Sequence, residues 1–187
     1  MAEMKTPESH TTNLILTLLI LALFSTVCAK GGKLHCPWNW SRWHGGCYRL
    51  INEPKKSWDD AEAFCCKYHL APRLGRGKFA NLEPVDSKVE NHFLYHLWRS
   101  HDDSVALSTN QHFWIGMNDK EEEGIFVLIN GNAPEYLNWA NDQPKYVEDQ
   151  DCVQMIGTNW TNDYDSGRWD DAACGVTSSF VCEFRCH

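Results

Sequence analysis

Positive charge is scarce in this chain of 187 residues: 17 Lys and Arg stand against 25 Asp and Glu, for a net charge of −8. A nucleic-acid surface needs clustered cations, so nucleic acid is not an expected partner. Long apolar runs are lacking too. The longest, Leu14 to Phe24, falls short of the roughly 20 residues that a spanning helix needs, which argues against a stable membrane span. Hydrolytic motifs are missing: no G-x-S-x-G elbow presents a serine, and no H-E-x-x-H helix combines zinc ligands with a glutamate base. Ser, His and Asp occur outside any such frame, so the chain is not expected to be an enzyme. The glycines of Pro72 to Lys78, PRLGRGK, do not form a phosphate cradle, and the segment reads as a basic loop.

What is present points to export. A polar start through Asn13 precedes the apolar run, and Ser25-Thr26-Val27-Cys28-Ala29 follows it with small residues at Val27 and Ala29, suited to signal peptidase. Residues 1–29 are therefore expected to be a cleaved signal peptide and 30–187 a single domain, secreted and extracellular. Cleavage would remove Glu3, Glu8 and Lys5, changing the net charge to −7, and would remove Cys28, leaving eight of the nine cysteines. An even number of cysteines in an exported domain reads as four disulfides, with many pairings open. Two sequons, Asn39-Trp40-Ser41 and Asn159-Trp160-Thr161, fit a secreted surface and are candidate glycosylation sites.

Along the chain, Cys36 to Cys47 holds Trp38, Trp40 and Trp43 with a Gly45-Gly46 turn and predicts an N-terminal hairpin, followed by a strand over Tyr48 to Ile51. Ser57 is suited to cap a helix beginning at Trp58, with Ala61, Phe64 or Cys65 and Tyr68 on one face and Asp59, Asp60 and Glu62 in the first turn. A second helix is predicted from near Asp86 to Arg99, with Val89, Phe93, Leu94 and Leu97 inward. His92, His96 and His101 lie along it; HFLYH lacks the metalloprotease glutamate, and the histidines read as a solvated face without zinc. From Phe113 the rhythm changes to short apolar runs, FWIGM, IFVLI, YLNW, CVQMI, RW and SFVCEF, parted by turns, as in antiparallel sheet. Helices then strands make the class α+β. The long polar spans between Ile129 and Cys174 are expected to bind a ligand.

Seven segments in order, CPWNW with CY, SWDDAEAFC, WIGMND, NGNAPEYLNWANDQP, DCVQM, RWDDAAC and FVCEF, resemble the C-type lectin domain of the long form, over Cys36 to Cys182. The resemblance implies two helices, two small antiparallel sheets, a long irregular ligand-binding loop region, and the disulfides Cys36–Cys47, Cys65–Cys182 and Cys152–Cys174. It implies a buried central strand at Trp114, Ile115 and Gly116. Cys66 and Cys186 are left over. They pair with each other if the tail curls back, since Cys182 and Cys186 would stand roughly 13 Å apart in an extended strand, or they join chains into a homo-oligomer.

The resemblance also implies a calcium-assisted sugar site. Gln143 and Pro144 match the galactose-type triplet, and Asp170 and Asp171 match the Asn-Asp pair after a tryptophan. Lys145 stands where an Asp or Asn is expected, and Gln150 where a glutamate is expected. A matching set would carry three negative charges, whereas Gln143, Lys145, Gln150, Asp170 and Asp171 sum to minus one. An ammonium cannot coordinate a metal, so Lys145 must swing out or pair with Asp170 or Asp171, and Glu148 or Asp149 could replace the missing carboxylates. An accessory calcium site falls on Asp119, Glu123 and Asp151, and the same DKEEE stretch also reads as a solvated acidic turn. The implied Gln143-Pro144 bond is cis, and Tyr146 or Trp160 could meet the apolar face of a sugar.

The leading expectation is a secreted lectin for galactose or N-acetylgalactosamine type sugars on glycans or glycoproteins, with weakened calcium dependence. Its competitor is a calcium-independent module of the same fold that binds protein, mineral or ice, and Lys145 favours that reading.

Overall fold

A computed structural model describes residues 36–70, 78–100, 111–145, 149–158 and 165–185. The expected signal segment, Cys186, His101, Tyr146, Glu148, Asn159 and Trp160 lie outside the described residues. Two helices and ten strands are described: β1 (Ser41–Trp43), β2 (Gly46–Lys56), α1 (Trp58–Cys65), β3 (His69–Leu70), β4 (Lys78–Phe79), β5 (Asn81–Leu82), α2 (Lys88–Ser100), β6 (Gln111–Asn118), β7 (Val127–Leu128), β8 (Cys152–Thr158), β9 (Trp169–Ala172) and β10 (Ser178–Arg185). The class is α+β.

Alternation along β6 and β10 builds the core. Trp114, Phe180, Cys182 and Phe184 join one buried cluster with Trp58, Ala61 and Cys65 of α1. Phe113, Ile115, Met117 and Val181 point to the other face and meet Leu94, Leu97 and Trp98 of α2. Successive strand side chains face opposite ways, so one sheet buried on both sides carries apolar residues at both parities. Each fully buried large side chain contributes roughly 1.5–3 kcal/mol relative to exposure.

The strands form an eight-stranded sheet in the order β1-β2-β10-β6-β8-β9, with β5 on β10 and β7 on β6, beside a two-stranded ribbon of β3 and β4. This corrects the expectation of two small antiparallel sheets. β10 pairs parallel with β6 at Ser179↔Phe113 and Phe180↔Trp114, which fuses the hairpin side of the molecule to the loop side. IFVLI contributes only Val127–Leu128, and YLNW only an isolated bridge from Trp139 to Trp169.

α1 starts as its sequence dictates: the Ser57 hydroxyl accepts from the Asp60 amide at 3.3 Å, and Asp59 and Asp60 fill the first turn. The indole of Trp58 donates to the Ile115 carbonyl at 2.9 Å, locking α1 to β6. The face of α2 follows expectation at Leu94 and Leu97, with Phe93 packed against the core, and departs from it at Val89. Val89 is 63% exposed, while Glu90, Asn91, Leu94, Leu97 and Trp98 are buried. Hydrogen bonds at the helix start hold Glu90 inward: Ser87 Oγ caps the Glu90 amide at 3.2 Å, and Glu90 Oε2 accepts from the amide of Asp86, one residue before the cap, at 3.0 Å.

Cys36–Cys47, Cys65–Cys182 and Cys152–Cys174 are bonded. Cys66 is not. It carries a free thiol just past the end of α1, which donates to Glu62 Oε1 at 3.2 Å, and its expected partner Cys186 lies outside the described residues. Burial, with the Glu62 carboxylate adding to it, pushes that thiol up to about 11. Among the described residues no helix is long and apolar enough to cross a membrane.

Candidate functional site

β8 and β9 pair antiparallel with Val153 opposite Asp171 and Gln154 opposite Asp170, closed at one end by Cys152–Cys174. Trp169, fully buried, anchors β9: its indole donates to Asn91 Oδ1 of α2 at 2.7 Å, and its ring meets Tyr136 and Trp139 edge-on. The long loop is stitched to the same strand. Trp169 N–H donates to the Asn138 carbonyl and Ala140 N–H to the Trp169 carbonyl, each at 2.8 Å.

Beyond that seam the chain turns through Asp142, at φ 61, and a cis Gln143-Pro144 bond, bringing the Lys145 amide to 2.8 Å from Asp171 Oδ2. Residues distant in sequence thus converge. Gln143 Oε1, Asp170 Oδ1 and Asp171 Oδ1 are all buried without a hydrogen-bond donor. Buried oxygens normally find a donor, and leaving them bare costs on the order of 1–3 kcal/mol each. Asp171 is only 3% exposed. Burial raises the Asp170 carboxyl above its ordinary range, and the neighbouring Asp171 charge adds to this, against a hydrogen bond from Gln154 Nε2 at 3.3 Å and the charge of Lys145.

These oxygens suit a hard cation: one amide and two carboxylate oxygens, unengaged, on loops and a strand end. The ammonium of Lys145 does not fill the space between them. Its side chain is exposed and makes no ion pair among the described residues, so it swings outward while its backbone caps Asp171. Gln150 is half-buried, and Asp149 is exposed with φ 80.

Of the accessory set, Asp119 and Asp151 are neighbours. Asp119 is 2% exposed with Oδ1 unpartnered, but its Oδ2 accepts from the Gly124 amide at 2.8 Å and its own amide donates to the Asp151 carbonyl at 3.0 Å. Glu123 is exposed. Burial, with Asp151 and Asp171 contributing, raises the Asp119 carboxyl against the Gly124 hydrogen bond. Among the described residues, the one trio of metal-ligating side chains with donor atoms within 4.8 Å of one another lies elsewhere, at Glu83, Glu90 and Glu183.

That acidic trio escaped the sequence reading, as did Asn91 and Gln154. Arg185 Nη2 lies 2.5 Å from Glu90 and 3.5 Å from Glu83, Arg185 also pairs with Asp86 and Glu183, and Tyr48 donates to Glu90 at 2.8 Å. Ser-x-x-Glu at Ser87 to Glu90 was the available signal for an inward Glu90. Nothing in the local pattern marks Glu83, which is fully buried on β5's exit. Asn39, the described sequon asparagine, is exposed in a turn at φ 65.

The profile of the Lectin C-type domain matches residues 54–184. An alpha-N-acetylgalactosamine-specific lectin of Patiria pectinifera is 31% identical over 172 residues, covering 90% of this chain and 94% of that one. Lectin BRA-3 of Megabalanus rosa is 29% identical, covering 90% and 86%. Among solved structures, the C-type lectin CEL-I from Cucumaria echinata superposes with a TM-score of 0.64 at 27% identity, covering 80% of this chain and 96% of that one. With the fold, the three disulfides and the joined loops already established, the match makes this chain a member of the C-type lectin domain family.

Proposed function

We propose that the protein is a secreted, non-catalytic carbohydrate-binding lectin that reads galactose or N-acetylgalactosamine type sugars on glycans and glycoproteins at Gln143, Asp170 and Asp171. The observation that carries this reading is that Gln143 Oε1, Asp170 Oδ1 and Asp171 Oδ1 are each buried and unpartnered, on two segments joined by the hydrogen bond from the Lys145 amide to Asp171 Oδ2. A relative sharing 31% identity is named for N-acetylgalactosamine specificity, which supports the same sugar class. Gln143, Asp170 and Asp171 would hold a calcium ion, with Gln150 at the rim. When bound, calcium supplies a hard cation to which vicinal sugar hydroxyls add their oxygens. The protein's own contribution is to fix the acceptors: Gln154 orients Asp170, and the Lys145 amide orients Asp171. Substitution of Lys145 and Gln150 for acids weakens the calcium dependence, since the set carries less negative charge.

The test is retention on N-acetylgalactosamine and galactose resins, with EDTA elution. Retention on either resin with release by EDTA is expected, and failure to bind any sugar resin removes the reading. The calcium-independent alternative has one observation in its favour: Asp171 Oδ2 is already capped by a protein amide. It takes over if Asp171→Ala leaves ligand binding intact and calcium does not raise the melting temperature, because an ion bound only by the native state must stabilise it.

A further inference from the structure

On the outward face of α2, His92 and His96 stand one helical turn apart with their Nε2 atoms 3.1 Å from each other. Both rings are exposed, with centroids 4.3 Å apart and planes inclined at 67°. Two imidazole nitrogens at about 2.0–2.1 Å from a shared ion, and separated by this distance, would subtend roughly 95–100° at it. That angle fits neighbouring positions of a square-planar or octahedral shell and needs slight opening for a tetrahedral one. We propose that His92 and His96 form a chelating site for a divalent transition ion that prefers imidazole, Cu2+ or Ni2+ ahead of Zn2+, with water in the remaining positions.

The supporting turn is fixed on both sides of the pair. Phe93 stacks on Trp43 at 4.9 Å with planes 9° apart, Asn91 donates to the Gly167 carbonyl at 2.8 Å and accepts from Trp169, and Leu94 and Trp98 are buried. The second ring is therefore presented to an ion already held by the first, without reorganising the helix. In the ion-free protein the two nitrogens share one hydrogen bond, one ring donating and the other accepting. Both rings carry the proton on Nδ1 when the ion binds, so two coordinated waters leave and no proton is lost. The ligands are nitrogens, which separates this site from the oxygen set at Gln143, Asp170 and Asp171. With no glutamate base in HFLYH, the site binds and does not hydrolyse.

The experiment is calorimetric titration of the untagged full chain with Ni2+, Cu2+ and Zn2+ at neutral pH and excess Ca2+, repeated with His92→Gln, His96→Gln and the double variant. The expected result is one Ni2+ or Cu2+ per chain, with Zn2+ weaker. Each single substitution should weaken binding by about tenfold or more as the chelate is lost, and the double variant should abolish that event at an unchanged melting temperature. A double variant that binds Ni2+ and Cu2+ like the parent overturns the proposal, as does a parent chain that binds neither ion.

Discussion

Lys145 is exposed and unpaired by any carboxylate among the described residues, yet its backbone amide is what holds Asp171 in place. Its side chain can therefore be changed without disturbing that contact. Lys145→Asp replaces an ammonium by a carboxylate beside Asp170 and Asp171, and should raise calcium affinity by about tenfold or more in a calorimetric titration; two unit charges about 4 Å apart near a surface interact by about 4 kcal/mol before solvent screening. Unchanged affinity would mean that residue 145 does not face the ion. At this scale part was readable: the resemblance pointed to Gln143, Asp170 and Asp171, and each carries a buried oxygen without a hydrogen-bond donor. Which oxygen of each carboxylate stays bare, and that Lys145 turns outward, depends on a cis proline turn and a seam of backbone hydrogen bonds that no side-chain pattern encodes. Gln154 was invisible for the same reason, because its role comes from cross-strand register with Asp170.

Close approach between elements sets the next constraint. A Cβ on Gly116 would lie 2.6 Å from the Leu82 carbonyl oxygen, where the Gly116 amide also donates to the Glu83 carbonyl at 2.6 Å. Gly116→Ala should cost about 1–3 kcal/mol in urea unfolding, because β5 must move away from β6; a variant as stable as the parent would contradict this packing. Ser57→Ala removes the cap of α1 and should cost about 0.5–2 kcal/mol by the same measurement. Replacing Cys152 and Cys174 by Ala should cost about 2–4 kcal/mol and weaken ligand binding, since that bond closes the ladder presenting Asp170 and Asp171. α1 was legible at its start, where apolar spacing and capping chemistry agree, but not at its end: the helix stops at Cys65, and Tyr68, expected on its face, lies beyond it. α2 was legible as a helix and at Leu94 and Leu97, but not at its start, where the apolar pattern pointed to Val89 and the structure buries Glu90 instead. The strands after Phe113 were legible as short runs, but the parallel pairing of β10 with β6 joins segments too far apart for local rhythm to reveal.

Across the whole molecule, Glu83, Glu90 and Glu183 crowd around Arg185 where α2, β10 and the hairpin strand β2 meet. Burial raises all three carboxyls, that of Glu183 to about 7, with Glu90 adding to this and Arg185 opposing it. The folded state therefore holds protons that the unfolded chain releases. Their stabilisation is complete below the ordinary carboxylate value of 4.5 and is lost as pH rises through the folded values. The melting temperature should fall by a few degrees between pH 5 and pH 8, and Glu183→Gln should flatten that slope. A melting temperature that rises over this range would contradict the protonated arrangement. Asp86, where hydrogen bonds to Glu90 and Arg185 outweigh burial, is held low and acts only at more acidic pH.

Because β10 is wedged between β2 and β6 and also carries β5, the middle of the sheet is filled by Ser178–Arg185. Until Ser178–Arg185 is in place the central slot of the sheet stays empty and both flanking strands are exposed. A nascent chain stalled before residue 178 should therefore remain protease-sensitive however long it waits.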